Sequence, residues 1–338
     1  MKLVKIATLL ILFIFIVSGA FVGMAFHFNA SPELIKSDDY FRISSGQNGV
    51  TIAGELEDLG FISSAKAFLI YTKIKGTGGE MKTGYYRIPA GSTMKQIHDL
   101  LLSGRQVLYS VTIPEGWTIR NIAQKLDEEG ITPADEFIES AGNDSYLSEF
   151  GIETDSVEGF LFPDTYSFPL AFPAEKVIQT MVNNFFENLS EIVDYSSMVS
   201  KELYDKIILA SIVEKEYRVA DEAAMIASVF YNRLETGMSL GSCASVVYII
   251  TDILNKDHPD TIYYSDLEIE SDYNTYIHEG LTPSPISNPG NTALKAAFYP
   301  EESDYYYFLL KDANAGQHYF SKTYGEHNQA YSLYIKKE

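Results

Sequence analysis

Residues Ile6 to Phe26 run for 21 positions without a charged side chain, IATLLILFIFIVSGAFVGMAF. A helix that crosses a bilayer needs about 20 such residues, so this run constrains the chain more than any other feature. Lys2 and Lys5 precede it, whereas Glu33, Asp38 and Asp39 follow it with only Lys36 as a basic neighbour. Positive flanks stay inside. The expected topology is a cytoplasmic tail at 1–5, a membrane helix at 6–26 and the bulk of the chain outside the cell membrane. The competing reading is a cleaved signal peptide. Its apolar core is usually about 7–15 residues and ends at an A-x-A site; this run is longer, and no clean site follows. Gly19 and Gly23 form a GxxxG, a spacing that suits helix pairing, but small residues are common in membrane helices.

Composition narrows the remainder. A chain of 338 residues holds one large or two modest domains, and 46% hydrophobic residues argue against disorder. The net charge of −21 argues against nucleic acid as a partner, since phosphate binding needs clustered Lys and Arg. The single cysteine, Cys243, excludes a disulfide framework and a Cys-based zinc site. The six His show no HExxH spacing, so neither metal nor cofactor is expected. An exported chain with one Cys fits a bacterial surface protein, of Gram-positive type. Tyr is abundant, at 24 against one Trp, which suits a carbohydrate-facing groove and ordinary strands equally.

After the apolar run a spacing recurs three times. Ile43, Gly46, Ile52, Leu56 and Gly60 are matched by Ile88, Gly91, Ile97, Leu101 and Gly104, and by Ile113, Gly116, Ile122, Leu126 and Gly130. The i,i+4 Ile/Leu pairs line one helix face, and the closing Gly suits a left-handed helix cap. Each unit therefore reads as strand, turn, short helix. The first and third continue as GFISSAKAF and GITPADEF, where Ser or Thr can cap a second helix. Units this short must share a core. They resemble LysM-like modules over 40–140; a packing scaffold that holds the anchor away from the rest is the plainer alternative.

Asp135 to Phe150 reads as a polar helical stretch. The segment VEGFLFPDTYSFP at 157–169 sets five aromatic or aliphatic residues beside Glu158 and Asp164 between Gly and Pro breakers. It reads either as a groove wall or as a buried loop whose carboxylates cap backbone amides. Helical pattern follows over 174–203, broken near Asp194. Ile207, Ile208, Ser211 and Ile212 then lead an apolar helix to Glu214 and Glu216, and a further helix is expected over Asp221–Thr236 with Gly237 ending it. A carboxyl group at the end of an apolar helix is desolvated, which raises its pKa towards what a general acid needs. Two residues apart is about 200° around a helix, so the two Glu cannot share one site. Taken alone, E-K-E reads more readily as a solvated charge run.

LASIVEKE at 209–216, IASVFYNRLETGM at 226–238, EGFLFPDTY at 158–166, YNTYIHEGLTPSPISNPGNTALKAA at 273–297 and the tail YYYFLLKDANAGQHYFSKTYGEHN at 305–328 together resemble the endolytic murein transglycosylases, the MltG or YceG-like family. The motifs occur in order and reach across most of the chain from Ile43 on. The resemblance implies a membrane-anchored lyase that cleaves the β-1,4 bond between N-acetylmuramic acid and N-acetylglucosamine within peptidoglycan. One Glu protonates the leaving oxygen and then deprotonates the muramoyl 6-hydroxyl, which closes a 1,6-anhydro ring. No second carboxylate at fixed separation is required, unlike typical hydrolases.

The family commonly reads E-K-E-T, which points to Glu216 as acid/base, with Glu214 as understudy; Tyr217 departs from that Thr. Many relatives read LQTDPTVIY where this chain reads LGSCASVVY, so Gly241, Cys243 and Ala244 replace Gln, Asp and Pro. Cys243 is expected to be small and buried rather than a nucleophile. Substrate contacts implied by the matched motifs are Glu158, Asp164, Tyr166, Asn232, Ser245, Tyr248, Tyr273, Asn274, Thr275, Tyr276, Asn288, His318, Glu326, His327 and Asn328. The Glu326, His327, Asn328 triplet is either a network that orients the acid or a helix cap. The expected fold is α+β: anchor, LysM-like region, and a catalytic domain over 145–338. The expected partners are glycan strands, the membrane and the cell-wall synthases. Two other functions stand beside the lyase: a muramidase-type hydrolase with Glu158 or Asp164 as second carboxylate, and a non-catalytic wall-binding scaffold of the synthesis machinery.

Overall fold

The structure, a computed structural model, describes residues 2–29, 35, 37–44, 46–143, 145–148, 150–152 and 154–335. The chain is α+β and divides into two compact units, one of residues 1–109 with 169–171, the other of 110–168 and 172–338.

The first unit begins with helix α1 (Lys2–Asn29). The side chains of 24–29 and several before them, and with them the end of the expected membrane segment, lie outside the described residues. Among the described residues no helix is long and apolar enough to cross a membrane. Then come β1 (Asp39–Ile43), α2 (Gly49–Asp58), α3 (Ala65–Lys75), β2 (Gly84–Ile88) and α4 (Met94–Ser103). The two strands pair antiparallel, from Asp39 opposite Ile88 to Ile43 opposite Gly84. Side chains alternate across a strand, so Phe41, Ile43, Tyr86 and Ile88 all point to one buried face. There they meet Ile52, Leu56, Ile97 and Leu101, the i,i+4 pairs of the repeat.

The second unit holds β3 (Tyr109–Thr112, whose first residue belongs to the other unit), α5 (Ile119–Glu128), α6 (Ala134–Ala141), α7 (Ser145–Ser148), β4 (Thr165–Phe168), α8 (Ala174–Ile192), α9 (Ser200–Glu216), α10 (Ala223–Glu235), α11 (Cys243–Tyr248), α12 (Asn291–Phe298), β5 (Tyr307–Asp312), β6 (Gln317–Ser321) and α13 (Tyr324–Tyr334). Strands β3 and β4 pair, and β5 and β6 form an antiparallel hairpin with a register shift between Leu310 and Asp312. Helix α9 is the centre. Leu203 and the whole run Ile207–Val213 are buried, as befits a helix surrounded on all sides, and α10, α11 and α12 pack against it.

The three repeats are strand, turn and helix as their spacing predicts. Their caps repeat too: Asn48, Thr93 and Thr118 each stand two residues after the first Gly and accept hydrogen bonds from the first helical turn. The continuation after the third unit differs. Ser64 caps α3, but Pro133 takes the cap position of α6 with no side-chain bond, leaving Thr132 buried with its hydroxyl unpartnered. The third repeat also lies on the far side of the unit boundary, which falls inside the 40–140 region. Ile113, Ile122 and Leu126 share a core with Val157, Phe160 and the α9 residues.

Candidate active site

Helix α9 stops at Glu216 because Tyr217 turns extended, at φ −71° and ψ 149°. The last turn therefore aims its two carboxylates at different neighbours. Glu216 accepts a hydrogen bond from the Ser242 hydroxyl. Burial pushes its pKa above the usual carboxylate range; the Ser242 hydroxyl, His318, Arg218 and Arg233 pull the other way by favouring the charged form. Glu214 accepts from the backbone N–H of Gly290 at 3.0 Å, at the start of α12, and from the Tyr217 hydroxyl at 3.4 Å. Burial raises it to about 7, opposed by the Gly290 amide and assisted by Glu115. A solvated E-K-E run is thereby corrected: both carboxyl groups are desolvated, in separate surroundings, as their angular offset on the helix requires.

Ser242 is fixed from several sides. It caps α11, its hydroxyl accepting from the Ala244 amide at 3.2 Å. Its own N–H donates to the Thr275 hydroxyl at 3.0 Å, and its carbonyl accepts from the Ser245 hydroxyl at 2.9 Å. Gly241, at φ +59°, donates its N–H to the Thr275 carbonyl at 2.8 Å. Thr275 and Ser245 thus hold the loop that holds the acid. Arg233 donates to the Leu240 carbonyl at 2.5 Å and to that of Tyr306 at 2.6 Å, tying the same loop to the β5 edge. Tyr276 reaches the Cys243 sulfur at 2.9 Å. Cys243 is exposed, which corrects the expectation of a buried thiol: α11 begins here, and its first residue faces outward. His318 is buried, with its Nδ1 2.7 Å from Glu222 and its backbone N–H donating to the same carboxylate at 2.9 Å.

Glu158 belongs to a different cluster. It is buried and accepts from the Ile119 amide, the first residue of α5, at 3.0 Å and from the Asn288 side-chain amide at 2.7 Å. Burial lifts it to about 8. The Asn288 carbonyl oxygen accepts from the amides of Gly159 and Leu161 at 2.9 and 2.8 Å, and its NH2 also donates to the Trp117 carbonyl at 3.0 Å. Asp164 accepts from Thr165 and Asn184, and Tyr166 donates to the Phe162 carbonyl at 2.6 Å. Phe160, Leu161, Phe162, Tyr166 and Phe168 are all buried. Glu158 and the apolar residues of the 158–166 block follow the second of the two readings, a buried loop whose carboxylate holds a backbone amide, whereas Asp164 is exposed.

Of the remaining sequence candidates, Tyr248 and Tyr273 face each other at 5.3 Å between ring centres. Asn274 is fully buried and donates to the carbonyls of Leu267 and Ile269. Asn232 donates to the carbonyls of Ser303 and Tyr305. Glu326 completes a capping box with Thr323, and the His327 ring stands 5.4 Å from that of Tyr307. The Asn328 carbonyl accepts from Ser332. Of the triplet, which lies in the first turns of α13, Glu326 has the helix-cap role. Sequence reasoning missed Ser242, Arg233, Arg218 and Glu222. Ser242 lies inside LGSCASVVY, where attention goes to the replaced neighbours, and Arg233 lies inside a quoted motif. Among the described residues no cluster of His, Cys, Asp or Glu is arranged to hold a metal ion.

A desolvated carboxyl group that meets a fixed hydroxyl can take up and release a proton, and Glu216 is such a group. The chain belongs to the YceG-like family, whose model matches residues 41–332. It is 32% identical to the endolytic murein transglycosylase of Bacillus subtilis (strain 168), over 96% of this chain and 92% of that one. It is 28% identical to the protein of the same name from Streptococcus pneumoniae serotype 2, spanning 88% of this chain and 58% of the longer relative. A crystal structure of a YceG-like protein from Listeria monocytogenes superposes with a TM-score of 0.57 at 32% identity, over 87% of this chain and 99% of that one.

Proposed function

We propose that this chain is an endolytic lytic transglycosylase of peptidoglycan, with Glu216 as its only acid/base. The relatives' names supply the substrate class, and the observation that carries the residue assignment is the Glu216 carboxyl, desolvated at the end of α9 and bonded to Ser242. Protonated, Glu216 gives its proton to the glycosidic oxygen as the bond from the muramoyl C1 breaks. The carboxylate left behind takes the proton of the muramoyl 6-hydroxyl, whose oxygen bonds to C1. The acid is regenerated, no water is consumed, and the product carries a 1,6-anhydro end. A positive surround helps at the intermediate stage, when Glu216 is charged, and Arg218 and Arg233 supply it.

Glu158 and Asp164 hold backbone amides and Asn184, which supports a mechanism that leaves them out. The segment Ile6–Phe26 serves as a single-pass anchor with the amino terminus in the cytoplasm, and the strand–helix repeats as a LysM-like region on the outer side. There the enzyme meets nascent strands beside the synthases that make them. The test is digestion of purified glycan by the full chain and by Glu216→Gln, with mass spectrometry of the ends. Anhydro ends that vanish in the variant, at unchanged melting temperature, are expected. Reducing ends, or near-wild-type cleavage by Glu216→Gln, overturn the reading.

A further inference from the structure

A groove runs along the first half of α9, away from the acid. Two hollows, of about 680 and 630 Å3, share Tyr204 and Pro283. Ile208 is the last α9 residue on the groove, and Glu216 lies eight residues on, about 12 Å along the axis. Between them the chain crosses over α9: the Ile286 N–H donates to the Ser211 hydroxyl at 3.0 Å and the Ser287 hydroxyl to the Ser211 carbonyl at 2.9 Å. The groove is therefore not the pocket of Glu216.

Its lining has the chemistry of a sugar site. The Tyr204 ring lies parallel to Phe160, 6.1 Å apart and tilted by 6°, and its hydroxyl meets Thr154 at 3.1 Å. The Tyr273 hydroxyl meets Ser284 at 2.6 Å, and its ring backs onto Tyr248. Both rings are held from behind, so neither must be ordered on binding. A pyranose presents a C–H face that packs on such rings, and a rim of hydroxyls. Asp155, Ser156 and Ser284 stand at the groove wall to accept and donate to them. The one lysine in the lining, Lys201, is paired with Asp205 at 2.7 Å, so a neutral ligand fits better than an anion. Tyr248 ends α11, whose other end is capped by Ser242, the partner of Glu216.

We propose that this groove is a second saccharide-binding station. Resting on the function proposed above, it grips the same glycan strand several sugars from the bond that Glu216 breaks, and so sets the length of the fragment released.

The test uses the full chain carrying Glu216→Gln and a β-1,4-linked hexamer of N-acetylglucosamine, followed by calorimetry. Adding Tyr204→Ala weakens binding tenfold or more, Tyr204→Phe keeps it, and Asp155→Ala, at an exposed position, weakens it about threefold. With Glu216 intact, the Tyr204→Ala and Asp155→Ala chains release a broader spread of fragment lengths. Unchanged binding and unchanged lengths overturn the proposal even if glycan is still cleaved. Binding that depends on Tyr204 in a chain that cleaves nothing leaves the groove standing and removes the proposed function instead. If Tyr204→Ala fails to fold, the Asp155→Ala result decides.

Discussion

Ser242 and Glu216 are 26 residues apart in sequence, and the hydroxyl of the first donates to the carboxylate of the second. The bond favours the charged form of an acid that burial drives towards the neutral one. Ser242→Ala removes that opposition, so Glu216 holds its proton to higher pH. The alkaline limb of the rate profile moves up in pH, while the rate at the optimum falls about tenfold from loss of one positioning bond, roughly 1.4 kcal/mol. A Ser242→Thr chain keeps the donor and the wild-type profile. A pH–rate series on the three proteins decides it.

Glu216→Gln is expected to lower turnover by about 100-fold to 10,000-fold, the range for loss of a general acid. Glu214→Gln, whose partner is the Gly290 amide, costs less than tenfold. The single-turnover rate on purified glycan separates the two.

Glu158 titrates near 8 because it is buried, against about 4.3 in an unfolded chain. The folded state therefore holds a proton that the unfolded state has lost, and stability falls as pH rises between those values and levels off above about 8. Glu214, raised to about 7, adds to the same trend at lower pH. Glu158→Gln keeps an acceptor for the Ile119 amide and never ionises. Its melting temperature should drop less than the wild type's between pH 5 and pH 8.5, measured by calorimetry at both.

Gly159 combines a φ of +89° with a neighbour it cannot share space with: a Cβ there would fall 2.5 Å from the Cβ and Cγ of Pro285. Gly159→Ala should lose about 2 kcal/mol or more of stability. Asn288→Ala, which strips four hydrogen bonds to two other chain segments, should lose about 3 kcal/mol or more. Urea titrations that leave either variant within 0.5 kcal/mol of wild type would refute the account of this joint.

Cys243 is exposed, touches Tyr276 and stands next to Ser242. Alkylation by iodoacetamide should therefore inactivate the chain, and Cys243→Ser should resist. Equal inactivation of both would show that the adduct acts elsewhere.

Much of this was legible because local spacing carries it. The three repeats declare their strands, helices and left-handed glycines through intervals alone, and an apolar helix ending in two acids is visible as a pattern. Ser242 was not, because its role depends on α11 folding back onto α9, a long-range fact that no local period encodes. Glu158 was legible only as an alternative, since a carboxylate between aromatics looks the same in sequence whether it faces a ligand or caps Ile119. The cap of α6 departs from the Ser/Thr pattern because Pro133, with no side-chain donor or acceptor, takes the cap position.

The unit boundary between Tyr109 and Ser110 has a practical corollary for anyone trimming this gene. The repetition in the sequence invites a cut near residue 140, which would discard Ile113, Ile122 and Leu126 as spare copies of a module. They are core residues of the half that carries Glu216, and the Ile119 amide that donates to Glu158 would leave with them. Two members of the repeat share one hydrophobic interior, while the third has been absorbed into another, so homology among the three copies and dispensability are separate properties here.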